Sequence, residues 1–193
     1  MVNAKVNKAI KNFLAVYTPD SSDPQESVPE RVARHPAIAE LVRMHGFTSF
    51  SNQLLWLCNP EDFADVAGPW LEPDAHQADV FFRTAFGELY AWDGVFFWQI
   101  MPHQSARMRL TEHGEWLIGN SLIDREMSIR TDLPKLAKRA RETNPPLKAN
   151  EIYNFVPALA LGGSESKSKI ERAKLREALD ILLQLAPVTK YGP

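Results

Sequence analysis

Thr84-Ala85-Phe86-Gly87-Glu88-Leu89-Tyr90-Ala91-Trp92-Asp93-Gly94-Val95-Phe96-Phe97-Trp98 is the stretch that decides how this chain folds. Two aromatic, strand-like runs flank Asp93-Gly94, the strongest short-range hairpin signal a sequence carries. Working outward, Val80 to Phe86, Leu89 to Trp92 and Val95 to Ile100 read as consecutive antiparallel strands, with Ala106 to Leu110 as a fourth. Phe86, Trp92, Phe96 and Trp98 are assigned to the sheet and its core, and Gly87 and Asp93-Gly94 to its turns. Nothing in the stretch has the composition of a catalytic motif.

Helices lie on both sides of these strands. Residues 3–16 carry Val6, Ile10, Phe13 and Leu14 near helical spacing, and residues 18–29 are a loop rich in Pro, Ser and Asp. Pro36 suits a first helical turn, Ile38, Leu41 and Val42 form a stripe, and Gly46 is placed to end it. After a strand-like Leu54-Leu55-Trp56-Leu57, Asn59 is a candidate cap with Pro60 at the first helical position and Glu61 and Asp62 at the positive end. Phe63, Val66, Ala67 and Trp70 then fall on one helical face, which Gly68-Pro69 ends or distorts. Glu115 to Ile123, Leu133 to Glu142 and Ser168 to Leu185 read as further helices. Grouped strands with grouped helices predict an α+β fold, an antiparallel sheet around a central aromatic hairpin packed by helices from both ends of the chain.

With 193 residues, 45% of them hydrophobic, the chain can build one substantial core or two small lobes that share one. A net charge of −2 argues against a general nucleic-acid binder. The amino terminus shows no secretory signal and no apolar run reaches spanning length, so the expected location is cytoplasmic. The lone Cys58 has no internal disulfide partner and reads as a buried inert thiol at the end of an apolar strand.

Five histidines are scattered without metal-ligand spacing; Glu112-His113 with Glu115 belongs to a loop-to-helix junction, and His103 reads as an exposed loop residue. No GxSxG elbow is present. Gly162-Gly163-Ser164 lacks the ending of a phosphate loop and reads as a tight connection into the last helix. The expectation is therefore no enzyme, no metal and no cofactor. Charge, by contrast, is unevenly spread: between Arg43 and Arg83 there is no Lys or Arg, but there are Glu61, Asp62, Asp65, Glu72, Asp74 and Asp79. Such a run is either a solvated face or an acidic surface that steers a basic partner.

His45-Gly46-Phe47-Thr48-Ser49-Phe50, Leu54 through Phe63, and Thr84-Ala85-Phe86-Gly87-Glu88-Leu89 with Trp92 resemble the GAD-like domain. Tyr153-Asn154-Phe155-Val156-Pro157-Ala158-Leu159-Ala160-Leu161-Gly162-Gly163 resembles the domain that commonly follows it, known as DUF1851 or the Tdi carboxy-terminal domain. Together the motifs span residues 10–187. Proteins of this architecture include the immunity protein that neutralises a type VI secretion DNase effector. The resemblance implies a bacterial antitoxin-like protein that binds a toxin, with a DNase as the expected class, and blocks it by non-catalytic occlusion.

The sequence thus divides into a GAD-like amino-terminal part, residues 1–110, and a DUF1851-like helical carboxy-terminal part, residues 111–193, packed as one unit. The expected partner is a cognate toxin, with no direct nucleic acid and no membrane. Candidate partner-binding residues are Asp65, Trp70, Glu72, Asp74 and Asp79, with Trp70 as the aromatic anchor. The alternatives are a scaffold or interaction module unrelated to toxins, and a small nucleotide-binding enzyme with a pocket near Gly162-Gly163.

Overall fold

The computed structural model describes residues 3–63, 65–71, 78–124 and 133–191. Helix α1 (Ala4–Val16) starts where the Asn3 side chain accepts the Lys5 amide at 3.0 Å, and it buries Val6, Ala9, Ile10 and Phe13. A single turn, α2 (Glu30–Ala33), leads to α3 (Pro36–His45), which begins on Pro36 and stops at Gly46. Strands β1 (Ser49–Phe50) and β2 (Leu55–Leu57), a 3₁₀ turn at Pro60–Phe63 and α4 (Gly68–Leu71) come next. The aromatic stretch forms β3 (Asp79–Thr84), β4 (Leu89–Trp92) and β5 (Phe97–Met101), and β6 (Ala106–Thr111) completes the meander. Then come α5 (Gly114–Trp116), a π-helical continuation at Leu117–Ser121, and α6 (Leu133–Thr143). The remaining elements are β7 (Glu151–Val156), β8 (Lys169–Lys174), α7 (Leu175–Leu185) and β9 (Thr189–Tyr191).

Strands β1 to β6 pair antiparallel in sequence order, and β9 adds in parallel beside β6. Alternation along β4 sends Tyr90 to one face and Leu89 and Ala91 to the other. On the first face Phe50, Leu55, Leu57, Phe81, Phe82 and Phe97 pack under α1 and α3. A register irregularity between Val80 and Phe82 lets two successive phenylalanines of β3 enter this one core. On the second face Val80, Leu89, Ala91, Trp98 and Ile100 meet Trp70 and Leu71 of α4 and Leu175, Leu179 and Leu182 of α7. Helices from the two ends of the chain therefore cover opposite faces of one sheet, as the α+β expectation holds.

A third core joins the β3–β4 turn to the carboxy-terminal elements. Phe86 stacks on Phe155 with ring centroids 5.3 Å apart, and Leu136, Ala137 and Ala140 of α6 close over them. The Tyr153 amide donates to the Ala85 carbonyl at 2.8 Å, so β7 is bonded directly to that turn. Gly87 makes the turn possible: its φ is +78°, and a Cβ there would lie 2.9 Å from Ile152 Cδ1. Asn144 acts as a peptide-like clamp, donating to the carbonyls of Ala140 and Ile170 and accepting the Arg172 amide.

Several expectations are corrected. The stretch 168–185 is not one helix: Lys169–Lys174 is a strand paired with β7, and only then does α7 begin. Its Lys, Glu and Arg residues favour a helix locally, but antiparallel pairing with β7, and burial of Ile170, override that preference. The carboxy-terminal part is thus a hairpin with helices rather than helical, and Gly162-Gly163 leads into β8 instead of a helix. The well-marked helix after Asn59 is two short pieces, since the Asn59 cap serves only the 3₁₀ turn and Pro69 sits inside the first turn of α4. The hairpin turn spans four residues, Asp93 to Phe96: the Asp93 carboxylate accepts the Val95 and Phe96 amides and the Trp98 indole N–H. His103 is buried, 2% exposed, edge-on to Phe155 at 5.0 Å. Cys58 is buried as expected, and burial pushes its thiol up to about 12.

Replacing Phe86 by Ala removes the ring that joins the turn to β7 and is expected to cost about 3–5 kcal/mol in denaturant unfolding. A second expectation concerns pH. The His35 ring packs edge-on against Phe81, Trp92 and Phe97 at 4.9–5.0 Å. Burial holds its pKa below 6.5, against the pull of Asp79 and Glu115, and Arg34 adds to the lowering. His45 is lowered by burial as well. The unfolded chain then binds these protons more readily than the folded one, so stability is full above about pH 6.5 and falls as pH drops towards the folded values. Thermal melts across this range are expected to show that decline, with a smaller slope in a His35→Leu variant.

Candidate functional site

The acidic segment begins at β2 and ends at β3, so it borders the second face of the sheet. Its first part is fixed from across the molecule. Arg176, in the first turn of α7, places a guanidinium nitrogen 2.6 Å from both carboxylate oxygens of Asp65 and also donates to the Asp62 carbonyl. That hydrogen bond holds the Asp65 carboxyl below its ordinary range. Asp79, at the start of β3, pairs with Arg31 of α2 at 2.8 Å. Glu61 and Asp62 stay exposed on the 3₁₀ turn.

Trp70 does not serve as an exposed anchor. It is 1% exposed and packs among Leu71, Trp98 and the α7 leucines, and its carbonyl accepts from Arg107 at 3.2 Å. The helical spacing that suggested an outward tryptophan instead marks the contact of α4 with the sheet. Glu72 and Asp74 lie outside the described residues. Of the five candidates, Asp65 and Asp79 are therefore at the surface, each paired with an arginine from another element. The segment's negative charge is partly neutralised by Arg31 and Arg176, which come from outside the run, and sequence counting within it misses them.

A cleft of about 450 Å³ opens next to this segment, between the 3₁₀ turn at Pro60–Phe63 and the start of α7. Its wall includes Arg83, which the sequence reading passed over. Arg83 lies mid-run in β3, is 0% exposed, and covers the Trp56 ring with its guanidinium 4.3 Å from the centroid. Its side chain donates to the Ala149 carbonyl at 2.7 Å and to the Thr84 carbonyl at 3.4 Å. Burial lowers its pKa to about 10, which leaves it charged at neutral pH. The available signal was a lone charged residue inside the apolar run Val80-Phe81-Phe82-Arg83, a pattern that calls for a specific buried role.

No group of three or more His, Cys, Asp or Glu with the geometry to hold a metal ion occurs among the described residues. No described helix is long and apolar enough to cross a membrane. The Cys58 thiol in the wall of the cleft is held protonated at neutral pH.

Comparison with known proteins adds the following. Residues 10–101 match the GAD-like domain, and residues 122–186 match the family described as T6SS immunity protein Tdi1, C-terminal. The crystal structure of Atu4351 from Agrobacterium tumefaciens has the same fold, with a TM-score of 0.64 at 18% sequence identity over 94% of this chain and 91% of that one. No curated protein matches the chain.

The Asp65–Arg176 pair is solvent-exposed on both sides, so its removal tests how rigidly the segment is held. Asp65→Asn is expected to lower stability by no more than about 1 kcal/mol in chemical denaturation. Faster hydrogen exchange at the amides of residues 61–66 would mark its positional role.

Proposed function

We propose that this chain, a GAD-like domain followed by a domain of the Tdi1 C-terminal type, is a type VI secretion immunity protein that binds a cognate antibacterial toxin in the cytoplasm and blocks it without catalysis. The observation that carries this reading is the pair of family matches in that order, on a fold that merges both segments into one body. The DNase class of toxin comes from the resemblance, and the chemistry of such a partner agrees with it. A nuclease must hold phosphates in a positive groove, and an acidic surface competes for that groove while it raises the association rate.

The surface we assign to this contact is the acidic segment without its tryptophan. Glu61, Asp62 and Asp65 form its described part, and Glu72 and Asp74 extend it in sequence. Asp79 has a structural partner in Arg31 and belongs at the margin. A basic partner approaching Asp65 competes with Arg176 for one carboxylate, an exchange that costs little at an exposed site.

The test is a titration of the chain against a candidate toxin encoded by an adjacent gene, with growth rescue on co-expression. A Glu61→Lys/Glu72→Lys/Asp74→Lys variant is expected to lose at least about tenfold in affinity and to show a shallower dependence on salt. Unchanged affinity and unchanged salt dependence would assign toxin binding to another surface. Absence of any complex with wild type would overturn the immunity reading itself.

A further inference from the structure

We propose that the outer face of α1, with the exposed Trp116 beside it, is a docking surface for an acidic, extended segment of a protein partner. The first argument is charge. The chain has no Asp or Glu before Asp20, and α1 carries Lys5, Lys8 and Lys11, all exposed. Among the described residues none of these three side chains enters an ion pair or a hydrogen bond. Lys5 stands in the first helical turn, where the positive end of the dipole repels it, and no acid in that turn offsets it. Asn7 and Asn12 are poor helix formers, and neither is buried. The inner side, with Val6, Ala9, Ile10 and Phe13, is ordinary core. The choices that cost helix stability are therefore made on the side turned to solvent, where a rule of local structure is broken for function.

The second argument is shape. Helix α1 runs beside the π-helical turn at Leu117–Ser121, and a groove of about 580 Å³ lies between them. Gly119 sets their approach, since a Cβ there would lie 3.0 Å from both Cα and Cβ of Ala9. Turns of this kind are rare in proteins and recur at functional sites. Trp116 precedes the turn, lines the groove and is 52% exposed, high for a ring that proteins mostly bury. A tryptophan ringed by polar groups has the composition of an interface anchor.

The third argument selects the occupant. Lys5 and Lys8 line the groove against one carboxylate among its lining residues, Glu115. Asn12 and Asn120 line it as well, and neither side chain makes a hydrogen bond among the described residues. Each amide presents both donors and an acceptor, the pattern that pairs with a peptide group. No arginine is among the lining residues, which disfavours a phosphate polymer, and the polar groove lacks the broad apolar face that a membrane interface takes. An extended peptide satisfies all the groups: carboxylates for the lysines, main chain for the asparagines, an apolar side chain for Trp116. Because α1 covers the first face of the sheet and the acidic segment borders the second, the two surfaces of opposite sign can be occupied together.

The experiment uses the intact chain without toxin, which keeps it independent of the immunity reading. A random dodecapeptide library displayed on phage is selected against wild type, and the enriched peptides are synthesised with a fluorescent label and titrated by anisotropy. The expected winners carry an excess of Asp and Glu around an apolar residue and bind with a Kd below about 100 μM. Trp116→Ala is expected to weaken them by at least about tenfold, and Lys5→Glu/Lys8→Glu to abolish binding, both in chains with the circular dichroism of wild type. Lys138→Glu, on the exposed side of α6, is expected to leave binding unchanged, which separates a site from general charge attraction. Winners without acidic excess, winners indifferent to Trp116→Ala, or equal loss in Lys138→Glu would each overturn the proposal. So would binding of phosphatidylglycerol vesicles or of a single-stranded oligonucleotide with the same dependence on Trp116 and the lysines, in the absence of peptide binding.

Discussion

Strands β3, β4 and β5 carry apolar side chains on both faces, and neither face can be left to water. Antiparallel sheets commonly leave one side solvated, with polar residues alternating against apolar ones. Here Tyr90 and Phe97 point one way while Leu89, Trp98 and Ile100 point the other. Two separate helical layers are thus obligatory, and the chain draws them from its opposite ends. α1 and α3 cover one face before the meander is made, and α7 covers the other after it. The placement of Asp62 and Asp65 follows, because the stretch that carries them leads into α4, which packs against the second face. The cleft follows too, since it lies where the start of α7 passes that segment.

The meander was legible because its signals are local. Aromatic runs and turn residues agree with each other between Val80 and Leu110, and Pro36 and Gly46 bracket α3 by the same kind of short-range chemistry. What was not legible depends on distant partners. Lys169-Ile170-Glu171-Arg172-Ala173-Lys174 is a strand only because β7 is beside it and Asn144 holds its edge. His103 is inside only because Phe155, far along the chain, covers it. Trp70 has a helical neighbourhood in sequence, but whether its face looks outward is decided by the sheet beneath it. In the candidate site, the carboxylates were countable, but their arginine partners, Arg31 and Arg176, come from α2 and α7. Arg83 was visible as an anomaly in an apolar run, but its partners, the Trp56 ring and the Ala149 carbonyl, come from other parts of the chain.

In this chain the residues that make the fold are distinct from those exposed at the surface. The motifs that tie this chain to the GAD-like and Tdi1 domains are rich in Phe, Trp, Leu, Gly and Pro, and the structure places Phe86, Tyr153, Phe155 and Trp98 inside it. These residues determine shape and have little surface to offer a partner. The groups able to meet another protein are charged, exposed and loosely paired. Such side chains can change without disturbing the cores, so one scaffold can serve different partners.

The hydrogen bond from Tyr153 to Ala85, with Phe86 stacked on Phe155 beside it, has a consequence for how such proteins can be recombined. A crossover placed between the two matched segments, after residue 101 and before residue 122, would set a foreign β7 against this β3–β4 turn. The backbone bond could survive that exchange, but the ring pair and the fit of Ile152 over Gly87 would have to match by chance. The natural unit of inheritance is therefore the whole body, and a chimera is viable only when the turn at residues 84–88 travels with the carboxy-terminal half.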